Sequence, residues 1–211
     1  MLRIEYVFTI LFLAMGPLRA IPLFHELTQG EDWSYRFRVA LFTIMIAGAL
    51  IALVVLTGVS TVQSWEVSEA ALKIAIGLLL IRSTFATLTM LNPANLKPAE
   101  TASSPRKEVS AAALAFSPLA APTIVTPTGV VTVVLFLFLA RGNAALEHEI
   151  YLVLAAMLLL NFLCMLAAEF IMRFVRLTIL AVIGWMFAAL QAALAVEVIL
   201  SGLRSAGLAP R

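Results

Sequence analysis

The chain has one aspartate, Asp32, one cysteine, Cys164, two histidines, His25 and His148, and charged side chains at only 12% of its 211 positions. Each scarcity removes a class of function. A lone aspartate excludes a paired-aspartate protease. A single cysteine cannot close an internal disulfide or run a thiol relay, and Cys164, inside "LLLNFLCMLA", reads as a small core residue. The stretches "HELTQ" at His25 and "HEIYL" at His148 begin like zinc motifs, but neither has the second histidine. Serines in the apolar runs have no histidine at membrane depth to act as their base. No G-x-x-x-x-G-K-[ST] loop is present, so ATP is not the direct energy source within this chain. No enzyme activity, cofactor or metal is expected. A net charge of +2, without any Lys/Arg-rich run, gives no footing for a nucleic-acid partner.

What is plentiful is hydrocarbon. Hydrophobic residues make up 63% of the chain and mean hydropathy is +1.05, against about 45–50% apolar residues in a soluble domain. The composition predicts an all-α, polytopic membrane protein whose solvent is the lipid bilayer. At about 20 apolar residues per crossing, six segments emerge: Ile4–Phe24, Phe37–Val62, Val67–Leu91, Val109–Ala140, Glu149–Met172 and Leu177–Leu203. The first loosely imitates a secretory signal peptide. Glu5 spoils its basic region and Pro17 and Arg19 spoil its cleavage site, so it is expected to stay.

Between the third and fourth segments lies "NPANLKPAETASSPRKE", a polar stretch of turn and disorder composition. It divides the chain into a first three-crossing unit (1–91), a linker (92–108) and a second three-crossing unit (109–211). Arg36, Arg38, Lys97, Arg106, Lys107, Arg173 and Arg176 fall in the first, third and fifth connections, and only Arg3, Arg141, Arg204 and Arg211 on the other side. The bias places the linker in the cytoplasm and both termini outside. Trp33 and Trp65 sit at segment ends, where interfacial aromatics belong.

The first segment carries "GPLRAIP" (Gly16, Pro17, Arg19 and Pro22 among its residues), and the fourth carries "SPLAAPTIVTPTG" (Ser117, Pro118, Pro122, Thr123, Thr126, Pro127, Thr128, Gly129). A small residue precedes Pro-Leu in both, and a second proline follows within about a turn. An odd number of crossings per half turns the second half upside down, so matched breaks in the first crossing of each half point to a transporter's midplane site. Broken helices leave backbone groups that lipid cannot satisfy. Their new N-termini carry partial positive charge suited to a carboxylate, and the threonine hydroxyls there can bond freed carbonyls or a ligand. The bland alternative is that the prolines only kink two helices for packing.

Five ionisable residues lie within the segments away from their tips: Arg19, Lys73, Arg82, Glu169 and Glu197. Lys73 follows Glu69 by four residues and Arg173 follows Glu169 by four, so both read as local i,i+4 pairs. Arg82 either snorkels toward the cytoplasm or joins Arg19 in making a cavity attractive to an anion. Glu197 counts to the outer half of the last segment, a poor partner for either arginine. Asn161 and Gln191, near the middle of their segments, read as interhelical glue or as cavity lining.

Together, "GPLRAIPLFHELTQG", "SPLAAPTIVTPTG", "ALKIAIGLLLI" and "FAALQAALAVEVILSGLR" resemble the MarC family, a bacterial inner-membrane family also described as neutral amino acid transporters. The resemblance covers almost the whole chain. It implies a lysine-exporter-like superfold and an inner-membrane location without identifying a substrate; the carboxylate-bearing solute is the expectation raised by Arg19 and the broken helices. Gly16 and Arg19 replace the asparagine and glycine of the usual Asn-Pro-x-Gly-x-x-Pro pattern, and Thr126-Pro127-Thr128-Gly129 replaces Gly-Pro-Gly. These departures match a subgroup with a basic residue in the helix-one motif. Two readings follow: a secondary carrier of an anionic or zwitterionic solute, bound between the two breaks, or a non-transporting accessory protein of the same family. A homo-oligomer or a membrane complex is compatible with either.

Overall fold

The computed structural model describes residues 4–17, 20–90, 114–174 and 177–208. Arg19 and the linker 92–108 therefore lie outside the described residues. The described chain is entirely helical, with no strand among those residues. Its elements are α1 (Ile4–Met15), α2 (Ala20–Thr28), α3 (Trp33–Ser64), α4 (Glu69–Met90), α5 (Ala115–Ile124), α6 (Pro127–Ala140), α7 (Ala144–Leu166), α8 (Ala168–Phe174) and α9 (Leu177–Ser205).

Five stretches are long and apolar enough to cross a membrane: Ile4–Thr28, Trp33–Ser64, Glu69–Thr89, Ala144–Leu166 and Ala181–Ser205. The chain is thus a polytopic membrane protein. The 32 residues of α3 reach about 48 Å, beyond the ~30 Å hydrocarbon layer, so this helix projects or tilts. At 14 residues, α6 reaches only ~21 Å. By itself it is too short to span that layer.

The expected interruptions have a local cause. Pro17 has no N–H to give the Leu13 carbonyl, and α1 stops at Met15. An added Cβ at Gly16 would stand 2.1 Å from the Phe12 carbonyl oxygen, so the backbone there admits only glycine. Helical bonding resumes at once, with the Ile21 N–H on the Pro17 carbonyl at 3.0 Å. Pro22 does not widen the break, as its motif suggested; it sits in the first turn of α2, where the missing N–H costs little. In α5 the chain is extended at Ser117 (φ −137°, ψ 126°) and Ala121 (φ −126°, ψ 126°), each directly before a proline. The proline ring clashes with an α conformation at the preceding residue.

The core lies where α1, α3, α6 and α7 pack together, with α4 and α9 as a closely matched pair beside it. That pair is set by glycine. A Cβ at Gly77 would fall 2.3 Å from Ile199 Cγ1 and 2.8 Å from the Ala195 carbonyl oxygen; one at Gly202 would fall 2.8 Å from Ile74 Cγ1. Small residues let membrane helices approach backbone to backbone, where lipid gives no hydrophobic drive to associate.

Opposite ends of the bundle are tied differently. Arg36, at the start of α3, forms an ion pair with Glu169 of α8 and donates its Nε–H to the Thr28 carbonyl at 3.3 Å. Glu169 therefore pairs across the fold rather than with Arg173. At the other end Lys73 pairs with Glu69 as the spacing predicts, and Glu197 takes Arg204 at 3.1 Å.

Gly77→Ala should part α4 from α9 and lower the melting temperature in detergent, at a cost of about 1–3 kcal/mol for overpacking. Gly48→Ala is the matched control, because its Cβ would make only an ordinary 3.7 Å contact with Leu158. An unchanged melt for Gly77→Ala would show that close approach is not required.

Candidate functional site

The two interruptions meet. Thr126 caps α6, its Oγ1 accepting the Gly129 N–H at 2.9 Å, while the same hydroxyl donates to the Ala14 carbonyl in the last turn of α1 at 2.9 Å. One side chain therefore serves an orphan donor of α6 and an end carbonyl of α1. Gly129 permits the approach, since a Cβ there would lie 2.4 Å from Met15 Cγ. Next to it, Asn161 of α7 donates through Nδ2 to the Met15 carbonyl at 3.0 Å and to its own-helix Met157 carbonyl at 2.9 Å.

Dipoles give the junction opposite signs. Carbonyls end α1, a partial negative charge, while α6 begins here, a partial positive charge. At the start of α6, Pro127 has no N–H and Gly129 is capped, leaving the Thr128 N–H without a helical acceptor. Asn161 is 0% exposed, and its Oδ1 has no hydrogen-bond partner, alone in this among the buried side-chain atoms of the described residues. Both Nδ2 hydrogens point at carbonyls, so flipping the amide would set oxygen against oxygen. The acceptor assignment is fixed. A buried acceptor without a donor costs about 1–3 kcal/mol, and such exceptions ask for a reason.

A second polar tier flanks the first on α4. Thr128 Oγ1 donates to the Leu79 carbonyl at 3.3 Å, and Gln191 Nε2 reaches the Leu80 carbonyl at 3.5 Å. Asn161 and Gln191 are thus glue between helices, the plainer of their two sequence readings. The threonines expected to face a ligand are likewise engaged within the protein: Thr123 donates to the Pro118 carbonyl at 2.8 Å, Thr126 to Ala14 and Thr128 to Leu79.

Of the remaining sequence-derived residues, Gly16 and Pro17 end α1 at the junction. Ser117 and Pro118 lie in the irregular α5, Ser117 exposed and Pro118 half-buried, and the side chain of Pro122 lies outside the described residues. Pro127 is an exposed N1 proline, while Thr128 and Gly129 are buried. Arg82 is exposed on the outer side of α4, off the face formed by Leu80, Ser83, Thr84 and Thr87. The structure does not bring it to the junction. Spacing put Arg82 at the right depth but could not fix the face of its helix. The functional candidate that the motif reading undervalued is Asn161; an amide amid "LLLNFLCM" was the available signal.

A cavity of about 30 Å³ adjoins the junction, bordered by Leu13, Gly16, Thr87 and Gln191. That is room for a water, not a solute. A larger one, of about 570 Å³, opens toward the end that carries Glu69 and Lys73.

A bundle of apolar helices, several of them long enough to cross a bilayer and two of its helix ends sewn together by side chains, defines a multi-pass integral membrane protein. The chain belongs to the MarC family of integral membrane proteins, whose family pattern matches residues 1–206. It is similar to the UPF0056 membrane protein MJ1677 of Methanocaldococcus jannaschii, 28% identical over 206 residues that cover 94% of this chain and 95% of that one. No solved structure matches it.

Thr126→Val keeps the shape but removes the cap and the bond to Ala14. It should cost about 1–2 kcal/mol and lower the melting temperature in detergent by more than Thr123→Val, whose hydroxyl is spent inside α5. Equal melts for the two variants would contradict the stitching role.

Proposed function

We propose that this protein is a secondary carrier in the cell inner membrane for a small zwitterionic solute, an amino acid or a similar carboxylate-bearing metabolite. The observation that carries the reading is the junction of opposite helix ends beside a buried, unpartnered acceptor, Asn161 Oδ1. A solute ammonium would donate to Asn161 Oδ1 at the negative end of α1. Its carboxylate would lie at the start of α6, toward the Thr128 N–H and the positive dipole. Arg19, by sequence position beside the break, is the candidate side-chain cation for that carboxylate.

The proposal includes six crossings, with α1–α2 and α5–α6 each counted as one broken crossing, arranged as two inverted halves. In support, α4 packs on α9, α3 on α7 and α1 on α6, each pairing one half with its counterpart. Rocking of the halves about the junction would expose the site to either side, and both termini would face the periplasm. The carrier reading needs no nucleotide, metal or bond-making chemistry.

The test is flux in liposomes with labelled glycine, alanine and small organic acids. Wild-type protein should move the amino acids. Loss of one charge-assisted hydrogen bond, worth ~1.5–3 kcal/mol, should cut kcat/KM at least tenfold in Asn161→Leu and in Arg19→Ala, while Cys164→Ala and Arg82→Ala transport normally. Absence of both flux and ligand-induced thermal shift across the panel would favour the accessory protein instead.

A further inference from the structure

The cavity beside the junction has no room for a solute, yet an open cleft of solute size lies nearby. The cavity of about 570 Å³ is walled by α1, α4, α6 and α9, two elements from each side of the linker. Its size falls within the roughly 300–1,000 Å³ typical of small-molecule sites. Thr132 contributes to its lining and donates to the Thr128 carbonyl at 2.7 Å. The cavity therefore ends one helical turn from the broken start of α6. At the far end of the bundle, Arg36 ties α3 to Glu169 of α8 and to the Thr28 carbonyl.

Its polar groups form a matched set. Lys73 and Glu69 line it as an ion pair, with side chains 17% and 40% exposed. Lys73 also donates to Ser205 Oγ of α9 at 3.0 Å, so two of its three ammonium donors are engaged and one remains. Glu69 holds one cation and keeps further carboxylate lone pairs. Tyr6 also lines the cavity, its ring packed edge-on against Phe136 at a centroid distance of 6.4 Å. Ile76 and Phe136 supply apolar wall. An i,i+4 pair made only for helix stability has no need of a cavity or of a second tie to α9. Spare donor, spare acceptor and apolar wall together match one chemistry: a primary ammonium and an anionic oxygen group on a compact aliphatic frame.

We propose that this cavity is a distinct holding site for a zwitterion, occupied before the solute reaches the junction, with Lys73 taking its anionic group and Glu69 its ammonium. The inference rests on the carrier reading for its place in a transport cycle, but binding in the cavity can be measured without transport. An aminoethyl phosphate lipid headgroup shares the same chemistry and forms a second arm of the test.

The experiment uses the full chain in lipid-free detergent, with Cys164→Ala removing the native thiol and Ser201→Cys placing a new one in the cavity lining. A charged, membrane-impermeant thiol reagent should label position 201. Alanine at ten times its dissociation constant should slow labelling about tenfold, as occupancy requires, whereas acetate and ethylamine at the same concentration should not. Adding Lys73→Met should abolish the protection. Absence of labelling, or labelling that alanine does not slow although the same variant carries flux in liposomes, would overturn the holding site and leave the carrier standing. Protection by phosphatidylethanolamine but not by alanine would overturn the solute as occupant. Protection without flux would keep the site and sink the carrier reading. Neither would sink both.

Discussion

Everything in this fold turns on where the backbone hydrogen bonds of the first crossing go once Pro17 interrupts them. Hydrocarbon has no water to satisfy an open carbonyl, and each unsatisfied group costs several kcal/mol there. The protein answers from two other elements. Thr126 gives its hydroxyl proton to Ala14, and Asn161 gives its amide to Met15. The break survives because the second half of the chain completes it.

That dependence explains the sequence at both places. Gly16 is the residue the backbone admits against Phe12, Gly129 lets α6 come against Met15, and Thr126 both starts α6 and ends α1. The side-chain donors of Thr126 and Asn161 are spent on carbonyls, and the side-chain atom left over is an acceptor, Asn161 Oδ1. The electrostatic character of the junction is thus dipolar, with acceptors at α1 and a donor at α6. Arg82, exposed on α4, does not contribute to it.

Much of the architecture was legible in the chain. Hydrophobic runs marked the long helices, and Pro17, Pro118 and Pro122 marked the irregular segments, because proline acts through its own ring and its immediate neighbours. The Glu69–Lys73 pair was legible for the same reason: both partners sit one turn apart on one helix. Partners far apart in sequence were not. Glu169 joined Arg36 of another helix instead of Arg173, and the hydroxyls of Thr126 and Thr128 went to carbonyls of α1 and α4. Spacing gives depth and helical face only relative to neighbours. Which face turns inward is settled by packing, as the close fit of Gly77 and Gly202 against α9 and α4 illustrates.

An experimental density map of the protein with bound alanine tests the central claim most directly. The account predicts α1 ending at Met15, Thr126 bonded to the Ala14 carbonyl, and the solute ammonium within hydrogen-bond distance of Asn161 Oδ1. A helix running unbroken through Gly16 and Pro17, or Asn161 turned to lipid with its amide unengaged, would contradict it.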